Sequence, residues 1–511
     1  MSGVIQNEIS EKTLKGSYDK QALTNIGKDT LLYLPGRLAP VLSSIIGLVI
    51  FTRILNPTEY GQYILILNLL GFIATIAYNW IGSSAFRYYE EHKINKSLPT
   101  YKSTLFLSHL SVSLILGVLG IFGYLLLHNR YINKFGDITF WILVGLLWLD
   151  SFVEISLNVA RANREVAKYS MASIVHSALK IIFAAIAITF LSLGVKGIFG
   201  GYLLASFMIG LFFLISFLKK FDISIGRISV SLVKSFASYG FPAAGACLCT
   251  WVLSVADRYI IQILKGSEMV GIYSAGYQIA GNIILLPSSL IMLAAFTIII
   301  QVYERRIPGE IESLLEKLTA IYIVLGLPLV LIVGIFSRPI VKIFLGKDFY
   351  AASNILALIA LGQFSLSLAE YFEKSFQLTK RTSNMLFFVI TVAVSNVVLN
   401  FLLIPSMNEI GAALATFLSY LLYLIFLGIY SRKFLAWRFP YKTLLKCSAA
   451  GVACIVLFLN VPASVEVGNS YILTFLMVAS LLLSYFFLLL IIGEEIVRKI
   501  GRTAFNLVTR L

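Results

Sequence analysis

The sequence predicts an all-α polytopic membrane protein of about fourteen transmembrane helices, and three observations predict it. The chain of 511 residues is 59% hydrophobic and 13% charged, with a mean hydropathy of +0.88, whereas a soluble domain carries about 25% charged residues. Apolar runs of about twenty residues, the length that crosses a bilayer as a helix, recur along the chain. Lysine and arginine gather in alternate short loops, thirty against eight, with Arg37, Lys180 and Arg258 left inside runs. Strands of a barrel would be about ten residues of alternating polarity, so helices are the reading.

Residues 1–30 are polar and mixed in charge, without the short apolar core and small-residue cleavage site of a signal peptide. Runs follow at 31–55, 62–86, 104–127, 138–160, 172–192, 197–218 and 237–263. Seven more lie at 271–300, 318–345, 351–372, 384–405, 411–430, 444–460 and 470–492. Positive loops stay cytoplasmic, so the bias puts both termini in the cytoplasm; the expected location is the cytoplasmic (inner) membrane. An odd number of spans would scramble the alternation.

An internal repeat divides the spans. The segment NPTEYGQYILILNLLG after the first run matches GSEMVGIYSAGYQIAG after the seventh: Gly61, Tyr63 and Gly71 stand opposite Gly271, Tyr273 and Gly281, and Asn68 opposite Gln278. A looser pair sets Arg161, Arg164 and Lys168 against Lys374, Lys380 and Arg381, and Gly197 against Gly411. Six helices is an even number, so duplicated units would insert in one orientation about an axis along the membrane normal. The expected organisation is a cytoplasmic tail (1–30), an N-lobe of six spans (31–218), a cytoplasmic linker (219–236), a C-lobe of six spans (237–430), two further spans (431–493) and a cytoplasmic tail (494–511).

The stretch QLTKRTSNMLFFVITVAVSNVVLNFLLIPSMNEIGAALATFLSY, with FTRILNPTEYGQY and ADRYIIQILKGSEMVGIYSAGY, resembles the Wzx-type polysaccharide (O-antigen or capsule) flippases of the multidrug, oligosaccharidyl-lipid and polysaccharide exporter superfamily. The resemblance covers most of the chain, and its motifs are structural. It implies two six-helix lobes in a V shape plus two C-terminal helices, moving lipid-linked oligosaccharides by alternating access. Implied partners are that oligosaccharide, membrane lipids, and a polysaccharide polymerase with its chain-length machinery.

Charges inside spans are costly and serve as functional hypotheses. In the fourth span Asp150, Glu154, Asn158 and Arg161 share one helical face, and in the fifth Ser173, Ser177 and Lys180 share another. Counting from the loop between these spans puts Glu154 and Lys180 at similar depth, which predicts that they pair and leaves Asp150 as the titrating group. This face reads equally as a polar cavity wall, where Lys180 attracts a pyrophosphate, or as an ion pair that fixes the hairpin. In the seventh span Asp257 and Arg258 are adjacent, about 100° apart, so they are not expected to form one tight face. Arg258 offers a planar fork suited to phosphate, or snorkels to headgroups. Arg37, within LPGRLAP, reads as an entry site for an anionic headgroup or as a positive-inside anchor. Asn68, Gln278, Asn282, Asn396 and Asn400 read as sugar-binding amides of a cavity wall or as interhelical hydrogen bonds. Glu370 and Glu373, at the end of the tenth span, are expected at the interface.

The net charge of +16 sits in short loops rather than on one surface, so no nucleic-acid partner is expected. No GxxxxGK[ST] phosphate loop, HExxH or GxSxG occurs, the four histidines are dispersed, and the four cysteines lie in apolar runs without metal-ligand spacing. The expectation is a transporter without ATPase, metal or cofactor, coupled to a proton or sodium gradient if to any. A cation-coupled multidrug antiporter would require an acidic cavity, which Lys180 and Arg258 oppose. A membrane polysaccharide polymerase or ligase would require a large outer loop, and the longest outer loops here are only about a dozen residues.

Overall fold

A computed structural model describes residues 35–36, 38–127, 136–220, 225–459 and 471–498, and among them every regular element is helical. The long helices are α1 (Leu38–Ile54), α2 (Pro57–Ile94), α3 (Leu98–Leu127), α4 (Asp137–Ala162), α5 (Val166–Thr189), α6 (Gly194–Lys220) and α7 (Val230–Lys265). They continue with α8 (Ser267–Glu304), α9 (Glu310–Ile335), α10 (Leu356–Leu378), α11 (Thr382–Tyr430), α12 (Tyr441–Leu459) and α13 (Tyr471–Ile492). Eleven helices among the described residues are long and apolar enough to span a bilayer, or twelve when a 3-10 turn, Lys347–Asn354, is joined to α10 across its 58° bend. Fourteen were expected, and the difference has two sources. The described part of α1 is too short to qualify. The 49-residue α11 runs together two predicted spans through Asn408, whose backbone (φ 53°, ψ −132°) leaves the helical region three residues after Pro405.

Helix starts and stops follow from local chemistry. The Asn56 side chain accepts from the Glu59 N–H at 2.9 Å while the Glu59 carboxylate accepts from the Asn56 N–H at 3.2 Å, a capping box that opens α2. Among the described residues six non-glycine residues have left-handed φ: Lys96, Arg164, Ser192, Arg306, Lys380 and Asn408. They form three pairs across the repeat, Lys96 with Arg306 at an offset of 210 residues, and Arg164 with Lys380 and Ser192 with Asn408 at 216. After α4 the Glu165 N–H reaches the Ala160 carbonyl at 3.0 Å, and after α10 the Arg381 N–H reaches that of Phe376 at 2.8 Å. This is the same helix-ending turn. A left-handed non-glycine costs roughly 1–2 kcal/mol, so its return at matched places in both halves is the structural trace of the duplication.

The chain forms two compact units, one of described residues up to Ile46 with Ile73–Ala244, the other of Gly47–Phe72 with described residues from Gly245 onward. Helices α1, α2 and α7 each supply a stretch to both. In the first unit α5 and α6 run closely together because Gly201 presents no side chain: a Cβ there would strike the backbone of Phe183 and Ala184. Val153, Leu157, Ala172, Ile209 and Phe213 fill the space among α4, α5 and α6.

In the second unit the repeat meets itself. A Cβ on Gly61 would collide with the Ser267 carbonyl oxygen, and one on Gly271 with the Pro57 carbonyl oxygen. Pro57 and Ser267 are the first residues of α2 and α8 and stand at the offset of the glycines themselves. The contact is therefore reciprocal, and small residues let the two backbones touch. Helix α12 packs on α9, where Gly451 lies beside Leu327 and Leu331, and α13 packs on α12.

Candidate functional site

Each unit holds a charged network within its spans. In the first unit α4 supplies Asp150, α5 His176 and Lys180, and α6 Ser206. Lys180 Nζ donates to Asp150 Oδ1 at 2.6 Å, and Ser206 Oγ donates to the same oxygen at 2.9 Å. His176 Nε2 lies 3.0 Å from Ser206 Oγ and 3.5 Å from Asp150 Oδ1, and Lys180 Nζ sits over the Tyr202 ring. The expected partner, Glu154, is a turn further along α4, exposed, with no hydrogen-bond or ion-pair partner among the described residues. The pairing drawn from depth alone is thus corrected. Depth counting ignores helix rotation, and α6, packed along both α4 and α5, turns Asp150 rather than Glu154 toward Lys180. The charge-assisted bond holds both groups half-buried and accessible.

The second network lies on α7, α8 and α11. Asp257 and Arg258 do form a tight pair, Arg258 Nη1 donating to Asp257 Oδ1 at 2.8 Å, although adjacent side chains diverge on a helix. The long arginine folds back, and Nη1 also donates to the Ser254 carbonyl one turn earlier at 2.6 Å. Its guanidinium stacks over the Tyr277 ring, 4.3 Å from the centroid. Tyr273 donates to Asp257 Oδ2 at 2.6 Å and lies 3.2 Å from Thr416 Oγ1, and the Tyr277 and Tyr420 hydroxyls are 3.0 Å apart. Asp257 is 2% exposed and Arg258 7%. This arginine is a neutralised structural charge in the conformation seen.

The remaining candidates are dispersed. Arg37 lies outside the described residues. Asn68 is on α2, its Nδ2 buried without a hydrogen-bond partner. Gln278 accepts from the Tyr60 hydroxyl at 3.0 Å, and Asn282 sits half-buried one turn along α8. Asn396 and Asn400 are buried inside α11: Asn400 Nδ2 donates to Asn396 Oδ1 at 3.0 Å, and Asn396 Nδ2 to Ser419 Oγ across the Asn408 break at 3.2 Å. Glu370 and Glu373, expected at the interface, are engaged by protein groups: Ser288 Oγ donates to Glu370 at 3.0 Å, Lys374 Nζ is 3.7 Å from it, and Tyr423 donates to Glu373 at 2.9 Å. Ser206, Tyr60, Thr416 and Tyr420 were missed from sequence. The i, i+4 spacing of Thr416 and Tyr420 on an apolar run was the signal available for the last two. Among the described residues no cluster of histidine, cysteine and carboxylates suits a metal ion.

Residues 26–303, more than half of the chain, match the family described as polysaccharide biosynthesis protein. The chain belongs to the polysaccharide biosynthesis protein family. Residues 242–402 of this family member also match the MatE family. A probable low-salt glycan biosynthesis flippase of Haloferax volcanii is 22% identical over 411 residues, 80% of this chain and 84% of the relative. Among solved structures, the lipid II flippase MurJ in an inward closed conformation aligns over 91% of this chain and all of that one, with TM-score 0.73 and 18% identity. An inward-facing multidrug resistance MATE transporter aligns over 79% of this chain and 97% of that one, with TM-score 0.65 and 15% identity. Family and fold together make this polysaccharide biosynthesis protein a multi-pass flippase of the multidrug, oligosaccharidyl-lipid and polysaccharide exporter superfamily.

Proposed function

We propose that this flippase carries a lipid-linked oligosaccharide, of the undecaprenyl-pyrophosphate type, from the cytoplasmic to the outer leaflet of the cytoplasmic membrane by alternating access, for cell-surface polysaccharide synthesis. The family match and the glycan flippase relative support that substrate class. The observation that carries the reading is the Lys180–Asp150 pair: an intramembrane cation half-buried, held by one carboxylate oxygen and therefore free to exchange partners. A pyrophosphate arriving at Lys180 replaces Asp150 as its anion. The released carboxylate stays hydrogen-bonded by Ser206. Once the substrate has left on the outer side, Asp150 takes up a proton there, or a sodium ion together with Glu154, and re-formation of the Lys180–Asp150 pair on the inner side expels that cation, so cation and substrate move in opposite directions. Arg258, fully engaged by Asp257, is a structural charge in its own unit. The lobes expected from the repeat perform the rocking, with both termini cytoplasmic as the loop charges require.

The MatE match favours a second reading, a cation-coupled drug antiporter. It requires free carboxylates, and the structure ion-pairs both Asp150 and Asp257, leaving Glu154 as the unpaired acid of the two networks. The two readings separate in a strain lacking this gene. Lipid-linked oligosaccharide accumulates on the cytoplasmic face if the chain is the glycan flippase, while normal glycan display with heightened sensitivity to cationic drugs selects the antiporter.

A further inference from the structure

We propose that the first unit carries a phospholipid site at the end of α4, α5 and α6 remote from the Asn163–Glu165 turn. A cleft of about 580 Å³ opens there among Ile142, Phe183, Ile186, Gly200 and Leu204, with Lys196 at its mouth. Its volume falls in the usual range for small-molecule sites, about 300–1,000 Å³. From Lys196 to Leu204 the cleft follows more than two turns of α6, about 12 Å at 1.5 Å per residue, and the side chains below the mouth are apolar.

The mouth has the opposite character. Lys196 is exposed and has no hydrogen-bond or ion-pair partner among the described residues. The N-termini of α4 and α6 converge on it, and their dipoles favour an anion. Asp137 lines the same mouth, where its carboxylate suits the ammonium of a phosphoethanolamine headgroup. Depth is marked by neighbouring residues: Tyr124, Phe140 and Trp141 pack with ring centroids 5.3–5.7 Å apart, the aromatic composition of a membrane–water boundary. Phe190, in the turn beside the cleft, is 81% exposed. A cation at headgroup depth above an apolar cleft fits one kind of molecule, an amphiphile with a phosphate and a hydrocarbon chain. Inorganic phosphate would leave the cleft empty, and a neutral lipid would leave Lys196 unpaired. Lys196 belongs to the sparse set of basic residues in loops read as outer, so the lipid is drawn from the outer leaflet.

The test needs no transport assay. A Cβ on Gly200 meets nothing within 4 Å, so Gly200→Phe fills the cleft without striking backbone. Delipidated full-length protein is titrated with phosphatidylethanolamine, and bound lipid is counted by native mass spectrometry. Wild type should retain one lipid. Gly200→Phe and Lys196→Gln should each weaken retention about tenfold, the latter in line with losing one charged hydrogen bond, each at unchanged helical content. If Gly200→Phe does not fold, the Lys196→Gln titration alone decides. Retention by Lys196→Gln equal to wild type, or equal binding of diacylglycerol and phosphatidylethanolamine, overturns the proposal. So does displacement by equimolar polyprenyl phosphate, which would assign the cleft to the substrate's carrier.

Discussion

Lys180 and Arg258 are both cations within spans, yet their surroundings differ: one pair is half-buried, the other buried. Arg258 is buried with Asp257, two tyrosines and a backbone carbonyl. Removing one partner of such a pair strands a buried charge and costs about 3–5 kcal/mol. Asp257→Asn should therefore lower the melting temperature sharply, and a double variant with Arg258→Met should recover most of the loss. A single variant that melts like wild type would show the pair to be dispensable. Lys180→Ala should melt close to wild type but export little glycan, because its pair is half-buried. Asp150→Asn should still insert and blunt any dependence of export on a proton or sodium gradient. A gradient dependence unchanged from wild type removes Asp150 from coupling. Sequence placed Lys180 at the right depth, but the choice between Asp150 and Glu154 depends on helix rotation and on Ser206, thirty positions beyond the fifth span's His176, and neither is written in local spacing.

At the scale of elements, the matched left-handed turns and the Gly61–Gly271 crossing carry the duplication. A Cβ at either glycine meets a carbonyl oxygen, whereas one at Gly123 meets nothing. Gly61→Ala should force the helices apart and destabilise by about 1–3 kcal/mol, the usual cost of overpacking. Gly123→Ala should be neutral or stabilise by up to about 1 kcal/mol through helix propensity. Equal melting of the two variants would contradict the crossing. The glycine correspondence was legible as Gly61, Tyr63 and Gly71 recurring at one offset. That the corresponding glycines would touch was not, because a repeat in sequence does not fix how its copies pack. The fourteen apolar runs were legible as composition. Their division into helices depended on Pro405 and Asn408 and on the bend before α10, where backbone geometry rather than hydropathy decides what is continuous.

For the whole molecule, low charge, high hydropathy and the uneven loop charge suffice to define a multi-pass membrane protein, and the family match taken with the glycan flippase relative and the shared fold makes it a flippase. The proposed substrate class draws on the family match and the glycan flippase relative, and the proposed exchange on a half-buried lysine held by one carboxylate oxygen. The most direct measurement is the sidedness of lipid-linked oligosaccharide in a strain lacking this gene, read with a membrane-impermeant glycan probe on intact and opened cells. The account predicts oligosaccharide reachable only after opening, returned to the outside by wild type and not by Lys180→Ala. Lipid-linked repeats already displayed on intact cells of the deletion strain would contradict it.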